Sequence, residues 1–235
     1  MYSFRNDYSE GAHPKVLQAL TDTNLVQTCG YGVDPICDEA RALIRTLCAA
    51  PDAAVHFLVG GTQTNLTVIT ALLASYEAVI AAHTGHVNCH ETGAIEATGH
   101  KVCTAYSPDG KVTPEMVESV LAIHADGEEH MVAPKLVYIS DTTEIGTVYT
   151  RAELAALRQC CDAHDLLLFL DGARLGSALT SPENDLTLSD LAALTDVFTI
   201  GGTKNGALFG EAVIMTVPCD HFRWHIKQRG GMLAK

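Results

Sequence analysis

The chain has 235 residues, of which 47% are hydrophobic, and its 15 basic and 28 acidic side chains give a formal net charge of −13. So many apolar residues exclude a disordered chain, and the length suits one large domain or two small ones. The acidic balance argues against nucleic acid or an anionic membrane as the main partner, and the apolar runs are too short to span a bilayer.

Short apolar runs of β-type residues alternate along the chain with longer amphipathic segments. Strands made almost entirely of Val, Ile, Leu and Phe are typical of a parallel sheet that is buried on both faces. We therefore predict an α/β fold with a mostly parallel seven-stranded sheet and helices on both faces. The predicted strands are Val55–Val59, Ala78–Ala81, Val102–Tyr106, Lys135–Ser140, Leu166–Leu170, Val197–Ile200 and Ala212–Val217.

Helical patterns fill the segments between the strands, and two of them start at a clear capping residue. Thr113 directly precedes Pro114, and Thr150 is followed three residues later by Glu153, as in a capping box. The predicted helices cover residues 34–49, 62–75, 114–124, 151–164 and 187–194.

The eight cysteines lie mostly inside apolar stretches, and a chain with this much core does not need a disulfide framework. The first 14 residues contain no apolar segment of the kind found in secretory signals. We therefore expect free cysteines and a cytoplasmic protein.

Polar segments follow four of the predicted strands. Because ligands of open α/β sheets bind beyond the carboxyl ends of the strands, these segments form the candidate site. They are residues 59–65 (VGGTQTN), 139–144 (ISDTTE), 170–174 (LDGAR) and 200–206 (IGGTKNG).

Gly60, Gly61 and Thr62 stand where a strand gives way to a helix. Two glycines let the backbone approach a ligand closely, and the start of a helix offers free N–H groups to an anion. The segment has neither the dinucleotide-binding nor the P-loop spacing. It is therefore either a phosphate cradle or a plain strand-to-helix turn.

Asp171 and Lys204 each follow an apolar strand. A carboxylate buried at Asp171 needs a cation, which is either Arg174 in a structural ion pair or the protonated ring nitrogen of a cofactor. The glycines around Lys204 are expected to clear space for it, and a lysine in such a pocket can form an imine with an aldehyde.

A phosphate cradle, a buried Asp and a downstream Lys occur in this order in enzymes that use pyridoxal 5′-phosphate (PLP). Related motifs extend over nearly the whole chain: Asn6-Asp7, Tyr31-Gly-Val-Asp34-Pro, Gly60-Gly-Thr-Gln-Thr-Asn65, His86, Asp171-Gly-Ala-Arg174, Gly202-Thr-Lys204 and Arg229-Gly230-Gly231. Together they resemble the threonine aldolase/β-eliminating lyase family of fold-type I PLP enzymes.

The resemblance implies a PLP-dependent carbon–carbon lyase that cleaves the Cα–Cβ bond of a β-hydroxy-α-amino acid, in the manner of an L-threonine or L-allo-threonine aldolase, to glycine and an aldehyde. It implies that Lys204 bonds to the cofactor, that Asp171 partners the pyridine nitrogen and that His86 stacks on the ring. The further implied contacts are Gly60, Gly61 and Thr62 with the phosphate, Arg174 with the cofactor and the substrate carboxylate, and Asn6 and Tyr31 with the substrate.

The resemblance also implies a homodimer or homotetramer, with Tyr31 often brought to the site of a neighbouring subunit. Residues 1–235 are expected to form the PLP-binding large domain, including an N-terminal arm of about residues 1–30. The family's small C-terminal domain is expected to be absent. Unless a partner supplies that domain, we expect weak turnover and an exposed apolar patch.

One position departs from the family pattern and leaves the substrate open. Thr143 stands where many threonine aldolases carry a histidine next to the substrate β-hydroxyl. Either another group, such as His90 or Glu144, takes the proton, or the substrate is not threonine.

Three alternatives to the aldolase remain. A β-elimination lyase or an aminotransferase could use the same core, and a truncated PLP-fold fragment could bind without turnover. The cluster His83-x-x-His86-x-x-Cys89-His90 has the spacing of zinc ligands, but no second pair of ligands follows, and we expect no metal.

Overall fold

The structure, a computed structural model, describes residues 3–234. The seven predicted strands are confirmed, with ends that differ from the prediction by at most two residues. The strands are β1 (Ala54–Leu58), β2 (Glu77–Ala82), β3 (Val102–Ala105), β4 (Ala133–Ser140), β5 (Leu167–Asp171), β6 (Val197–Gly201) and β7 (Glu211–Met215).

The strands form one sheet in the order β1-β7-β6-β5-β4-β2-β3. The pairs β2–β3, β2–β4, β4–β5 and β5–β6 are parallel, whereas β7 runs antiparallel to both of its neighbours, β6 and β1. The prediction of a mostly parallel sheet is therefore confirmed. Because β1, β4, β5 and β6 run in the same direction, their carboxyl ends meet at one edge of the sheet.

The five predicted helices are confirmed, and the described residues contain four more α-helices that the sequence pattern did not indicate. Three of these four have only four to seven residues, too few for a clear helical period. The helices are α1 (Pro14–Thr23), α2 (Pro35–Leu47), α3 (Gly61–Leu72), α4 (His86–Cys89), α5 (Pro114–Ala125), α6 (Arg151–Ala163), α7 (Leu175–Leu179), α8 (Leu188–Leu194) and α9 (Phe222–Gln228).

Both predicted helix caps are confirmed. The Thr113 side chain accepts from the backbone N–H of Met116, and Thr150 and Glu153 form a reciprocal capping box at the start of α6. The longest of the helices have 13 residues. Within residues 3–234, none combines the length and the apolar character that crossing a membrane requires.

Alternate residues of the strands belong to two hydrophobic clusters, one on each face of the sheet. Val137 and Leu168 lie on one face with Leu157 of α6, among side chains from α5 and α8. Leu136 and Phe169 lie on the other with residues of α3 and α9. The sheet is therefore covered by helices on both faces, as predicted, and this rigid core fixes the loops at its carboxyl edge.

Candidate active site

The carboxyl edge of the sheet holds a cavity of about 340 Å³. Side chains and backbone from the ends of β1, β4, β5 and β6 line it, together with the first residues of α3 and α4. The structure therefore brings together every residue that was expected to hold the cofactor: Gly60, Gly61, Thr62, His86, Asp171, Arg174 and Lys204.

Tight glycine packing sets the loops after β5 and β6 side by side. The N–H of Gly201 donates to the carbonyl of Gly172 at 3.0 Å. A Cβ on Gly201 would lie 2.6 Å from the carbonyl oxygen of Ala173, and a Cβ on Gly202 would lie 2.8 Å from that of Gly210. For Gly201 and Gly202 the expectation that the glycines clear space around Lys204 is thus wrong, because these two allow backbone segments to touch. A Cβ on Gly206 would meet no atom closer than 3.8 Å.

The start of α3 is open to the cavity. Gly60 is the N-cap residue and supplies no side-chain hydrogen bond to the helix. A Cβ built on Gly60 or Gly61 would meet no atom within 4 Å, so both backbones face open space. The free N–H groups of this 12-residue helix can therefore receive an anion.

Asp171 is 5% exposed and accepts three hydrogen bonds, all from uncharged donors. Asn65 Nδ2 donates to Oδ2 at 2.9 Å, the Tyr138 hydroxyl donates to Oδ2 at 2.6 Å, and the Ala173 N–H donates to Oδ1 at 2.9 Å. The alternative of an ion pair with Arg174 is wrong. Among the described residues Asp171 has no cationic partner, which is costly for a buried carboxylate unless a ligand supplies one.

Arg174 instead pairs with Asp7, which is 167 residues away in the chain. Its Nε donates to Asp7 Oδ2 at 2.6 Å and its Nη2 to Oδ1 at 3.2 Å. Burial alone would raise the pKa of Asp7, but the hydrogen bond from Arg174 keeps this pKa below its ordinary value. The neighbouring Tyr8 ring lies 5.9 Å from Lys204 Nζ. The N-terminal segment thus contacts both cations of the cavity.

His86 is held by Glu91, a residue to which the sequence pattern gave no role. His86 Nδ1 and Glu91 Oε1 are 2.8 Å apart, and this hydrogen bond raises the pKa of His86. Glu91 is 5% exposed, and Asn65 Nδ2 also donates to its Oε1 at 2.8 Å. Asn65 therefore bridges the carboxylates of Glu91 and Asp171.

Glu144 lies in the loop after β4 and lines the cavity. Its Oε1 accepts from the His86 backbone N–H at 2.9 Å and from Ser140 Oγ at 2.7 Å. Thr143, in contrast, is 2% exposed and is bonded to Thr147 rather than lining the cavity. His90 is exposed and also lies outside the lining.

Glu211, the first residue of β7, is a further buried carboxyl that the sequence pattern did not indicate. It is 6% exposed and lines the cavity. Burial, and secondarily the charge of Asp171, raises its pKa to about 7. Because the predicted strand began one residue later, Glu211 was not recognised as a residue at the sheet edge.

Two predicted substrate contacts lie outside this cavity. Asn6 Oδ1 accepts from the Tyr8 N–H at 3.0 Å and from Ser9 Oγ at 2.8 Å. Tyr31 lines a separate cavity of about 100 Å³ with Arg223. A substrate role for Asn6, and one for Tyr31 across a subunit boundary, stay predictions.

The histidines of the zinc-like cluster have other partners. His83 stacks on Tyr106 with ring centroids 4.7 Å apart, and Cys89 Sγ donates to the His83 carbonyl at 3.0 Å. Among the described residues, one other group of potential metal ligands has its ligand atoms within 4.8 Å of one another: Glu118, Cys160 and His164. This group lies on α5 and at the end of α6, outside the cavity.

Comparison with known proteins relates this site to enzymes of known class. Residues 4–235 match the beta-eliminating lyase family. The chain is 34% identical to the low specificity L-threonine aldolase of Pseudomonas sp. (strain NCIMB 10558) in an alignment of 243 positions that covers 99% of this chain and 67% of that protein.

Solved structures show the same relationship. Threonine aldolase of Leishmania major superposes with a TM-score of 0.97 at 56% identity, covering 100% of this chain and 69% of that one. Aspartate aminotransferase of Thermus thermophilus shares the fold, with a TM-score of 0.74 at 17% identity over 94% of this chain and 58% of that one. The chain therefore belongs to the beta-eliminating lyase family, as its motifs predicted.

Proposed function

We propose that the chain is a PLP-dependent aldolase that cleaves the Cα–Cβ bond of β-hydroxy-α-amino acids, such as L-threonine and L-allo-threonine, to glycine and an aldehyde. The observation that carries this proposal is the single cavity in which Lys204, Asp171 and His86 meet. The names of the Pseudomonas and Leishmania relatives, both threonine aldolases, support the substrate class.

The residues of the cavity fit PLP at three points. The buried carboxylate of Asp171 has neutral donors but no cation among the described residues, so it suits a protonated ring nitrogen. The open backbone at Gly60 and Gly61 suits the phosphate. The Lys204 amine, which forms no hydrogen bond or ion pair within the described chain, suits the aldehyde.

When bound, PLP supplies an electron sink for the negative charge that develops at the substrate Cα. The protein residues hold and orient the reactants. Three hydrogen bonds fix the Asp171 carboxylate in one orientation. Glu91 contacts Nδ1 of His86, and this hydrogen bond fixes the orientation of the imidazole, which lines the cavity.

Arg174 is the group best suited to the substrate carboxylate. Asp7 occupies Nε and Nη2, and no hydrogen bond among the described residues uses Nη1. Arginine binds carboxylates through parallel N–H groups, so the Asp7 pair orients the guanidinium while leaving one edge for the substrate. Arg174 and Lys204 line the same cavity, which supports this role for Arg174.

Product analysis distinguishes the aldolase from its alternatives. The protein is incubated with PLP and either L-threonine or L-allo-threonine, and the products are quantified. We expect equal amounts of glycine and acetaldehyde, and none from the Lys204→Ala variant. Formation of 2-oxobutanoate with ammonia would instead identify a β-elimination lyase. Conversion that requires an added 2-oxo acid would identify an aminotransferase, and a folded, PLP-loaded protein without turnover would favour the non-catalytic fragment.

A homodimer or homotetramer is proposed for the assembled protein. Within the described chain, neither α1 nor α2 buries a residue, and several large apolar side chains on these helices are exposed: Leu17, Leu20, Ile36, Leu43 and Leu47. A second copy would remove this surface from water. Sedimentation that shows only monomer at working concentration would contradict the proposal. A cytoplasmic location is also proposed, supported by eight free cysteines.

A further inference from the structure

We propose that Glu144 is the base that takes the proton from the substrate β-hydroxyl. The inference rests on the proposed aldolase function and assigns the role that the family histidine would have at Thr143. It follows from the position and the hydrogen bonds of Glu144 within the cavity, compared with those of Thr143, His90, Glu91, Asp171 and Glu211.

Thr143 itself is unsuited to the role. It is buried, its hydroxyl lies 2.7 Å from the hydroxyl of Thr147, and it does not line the cavity. His90, the other alternative, is exposed and lies outside the cavity lining. Glu91 is committed to His86 and Asn65 and is also outside the lining.

Glu144 has the geometry of a held base with one free oxygen. The His86 N–H and the Ser140 hydroxyl both donate to Oε1, at 2.9 and 2.7 Å, which fixes the carboxylate. Oε2 makes no hydrogen bond with the described residues, although Glu144 lines the cavity. A carboxylate anchored through one oxygen and open at the other can accept a proton without first breaking an internal contact.

The cavity contains two further carboxyl groups, and both lie at other positions around it. Asp171 is fixed by three donors and suits the cofactor ring nitrogen. Glu211 of β7 pairs in register with Leu58 of β1 and with Gly201 of β6, so β6 and β5 separate its strand from β4, whose following loop carries Glu144. Glu144 instead adjoins His86, the residue predicted to lie against the ring face.

The β-hydroxyl O–H bond breaks, and its proton moves to Glu144 Oε2. The electron pair left on oxygen forms the carbonyl bond of the departing aldehyde while the Cα–Cβ bond breaks. The electron pair of that bond remains at Cα, where a proton from solvent is added to give glycine. Protonated Glu144 then returns its proton to water, and neither oxidant nor reductant is needed.

Glu144→Gln tests the proposal because glutamine keeps the shape and the anchoring oxygen but cannot act as the base. Cleavage of L-threonine should fall by about 10²- to 10⁴-fold, the usual contribution of a general base. PLP loading, measured by absorbance titration, should be retained. Exchange of the glycine α-proton with solvent deuterium, followed by NMR, should also be retained, because that exchange involves no β-hydroxyl.

Three further variants complete the test. The exposed Glu183→Gln serves as the matched control and should cleave L-threonine at the wild-type rate. Glu144→Asp keeps a carboxylate on a shorter side chain and should cleave faster than Glu144→Gln. Glu211→Gln should cleave faster than Glu144→Gln as well.

The outcomes separate this inference from the proposed function. Wild-type cleavage together with near-normal cleavage by Glu144→Gln overturns the role of Glu144 and leaves the aldolase standing. Loss of both cleavage and α-proton exchange in Glu144→Gln means a structural role and also overturns the inference. A wild-type protein that binds PLP, exchanges glycine protons and cleaves no β-hydroxy amino acid overturns the proposed function and the inference together.

Discussion

Replacing Asp171 with Asn tests how the buried carboxylate is held. The two carboxylate oxygens accept from three donors: Asn65 Nδ2 and the Tyr138 hydroxyl at Oδ2, and the Ala173 N–H at Oδ1. An asparagine has only one oxygen, so either way round its NH₂ group faces an N–H donor. At Oδ1 it would face Ala173, and at Oδ2 it would face Asn65.

Asp171→Asn is expected to lower the stability of the cofactor-free protein and to weaken PLP binding. A lost hydrogen bond to a charged group, with a buried donor left unsatisfied, costs about 1–3 kcal/mol of unfolding free energy in the cofactor-free protein. For a domain of this size each kcal/mol lowers Tm by about 2–4 °C. Losing one partner of a buried charge pair costs about 2–5 kcal/mol of binding free energy, so the Kd for PLP should rise by about 30- to 4,000-fold.

Thermal unfolding with and without PLP measures both effects, since a ligand that binds only the folded state raises Tm according to its affinity. Asp141→Asn is the matched control, because Asp141 is 1% exposed but has a single long hydrogen bond, 3.4 Å from the Tyr149 nitrogen, and an unsatisfied Oδ2. At pH 8 the control should not lose stability and should keep the PLP-induced rise. An Asp171→Asn variant with wild-type Tm and a wild-type PLP response would refute the reasoning.

Three other changes have defined outcomes. Burial raises the pKa of Asp141 to about 7, so the folded state holds a proton that the unfolded state releases, and wild-type stability should fall between about pH 4 and 7. Urea unfolding at pH 5 and 8 should show that Asp141→Asn removes a loss of about 3 kcal/mol over this interval, and an unchanged pH dependence would contradict this. Glu91→Gln should lower the pKa of His86, because the Glu91 hydrogen bond raises it, and NMR titration of the ring would detect the change or its absence. Gly61→Val should weaken PLP binding by placing carbon atoms in the open space before α3 with little change in Tm, and an unchanged Kd would argue against a phosphate there.

The sheet and the loops at its carboxyl edge could be predicted because local pattern determines them. Val137 and Leu168 belong to continuous apolar runs, which buried parallel strands require. Asp171 ends such a run and Lys204 follows another by three residues, so their place at the edge follows from the strand ends. The short helices α4, α7 and α9 could not be predicted in this way, because tertiary packing rather than local period stabilises so few residues.

The contacts within the site depend on pairings that the sequence does not display. Asp7 and Arg174 are 167 residues apart, and Asn65 reaches Asp171 across 106 residues. Glu91 follows His86 by five residues, yet a glutamate in a polar stretch carries no sign that it will be buried against an imidazole. Proximity in sequence made Arg174 one of two possible partners of Asp171, but the fold directs the guanidinium toward the N-terminal segment.

Reduction with borohydride after addition of PLP tests the cofactor assignment most directly. The treated protein is digested, and the peptides are analysed by mass spectrometry, with Lys204→Ala as the control. We predict one stable phosphopyridoxyl adduct, on Lys204, and none at that site in the variant. A folded wild-type protein that carries no adduct, or carries it on another lysine, would contradict the assignment of the cavity as a PLP site.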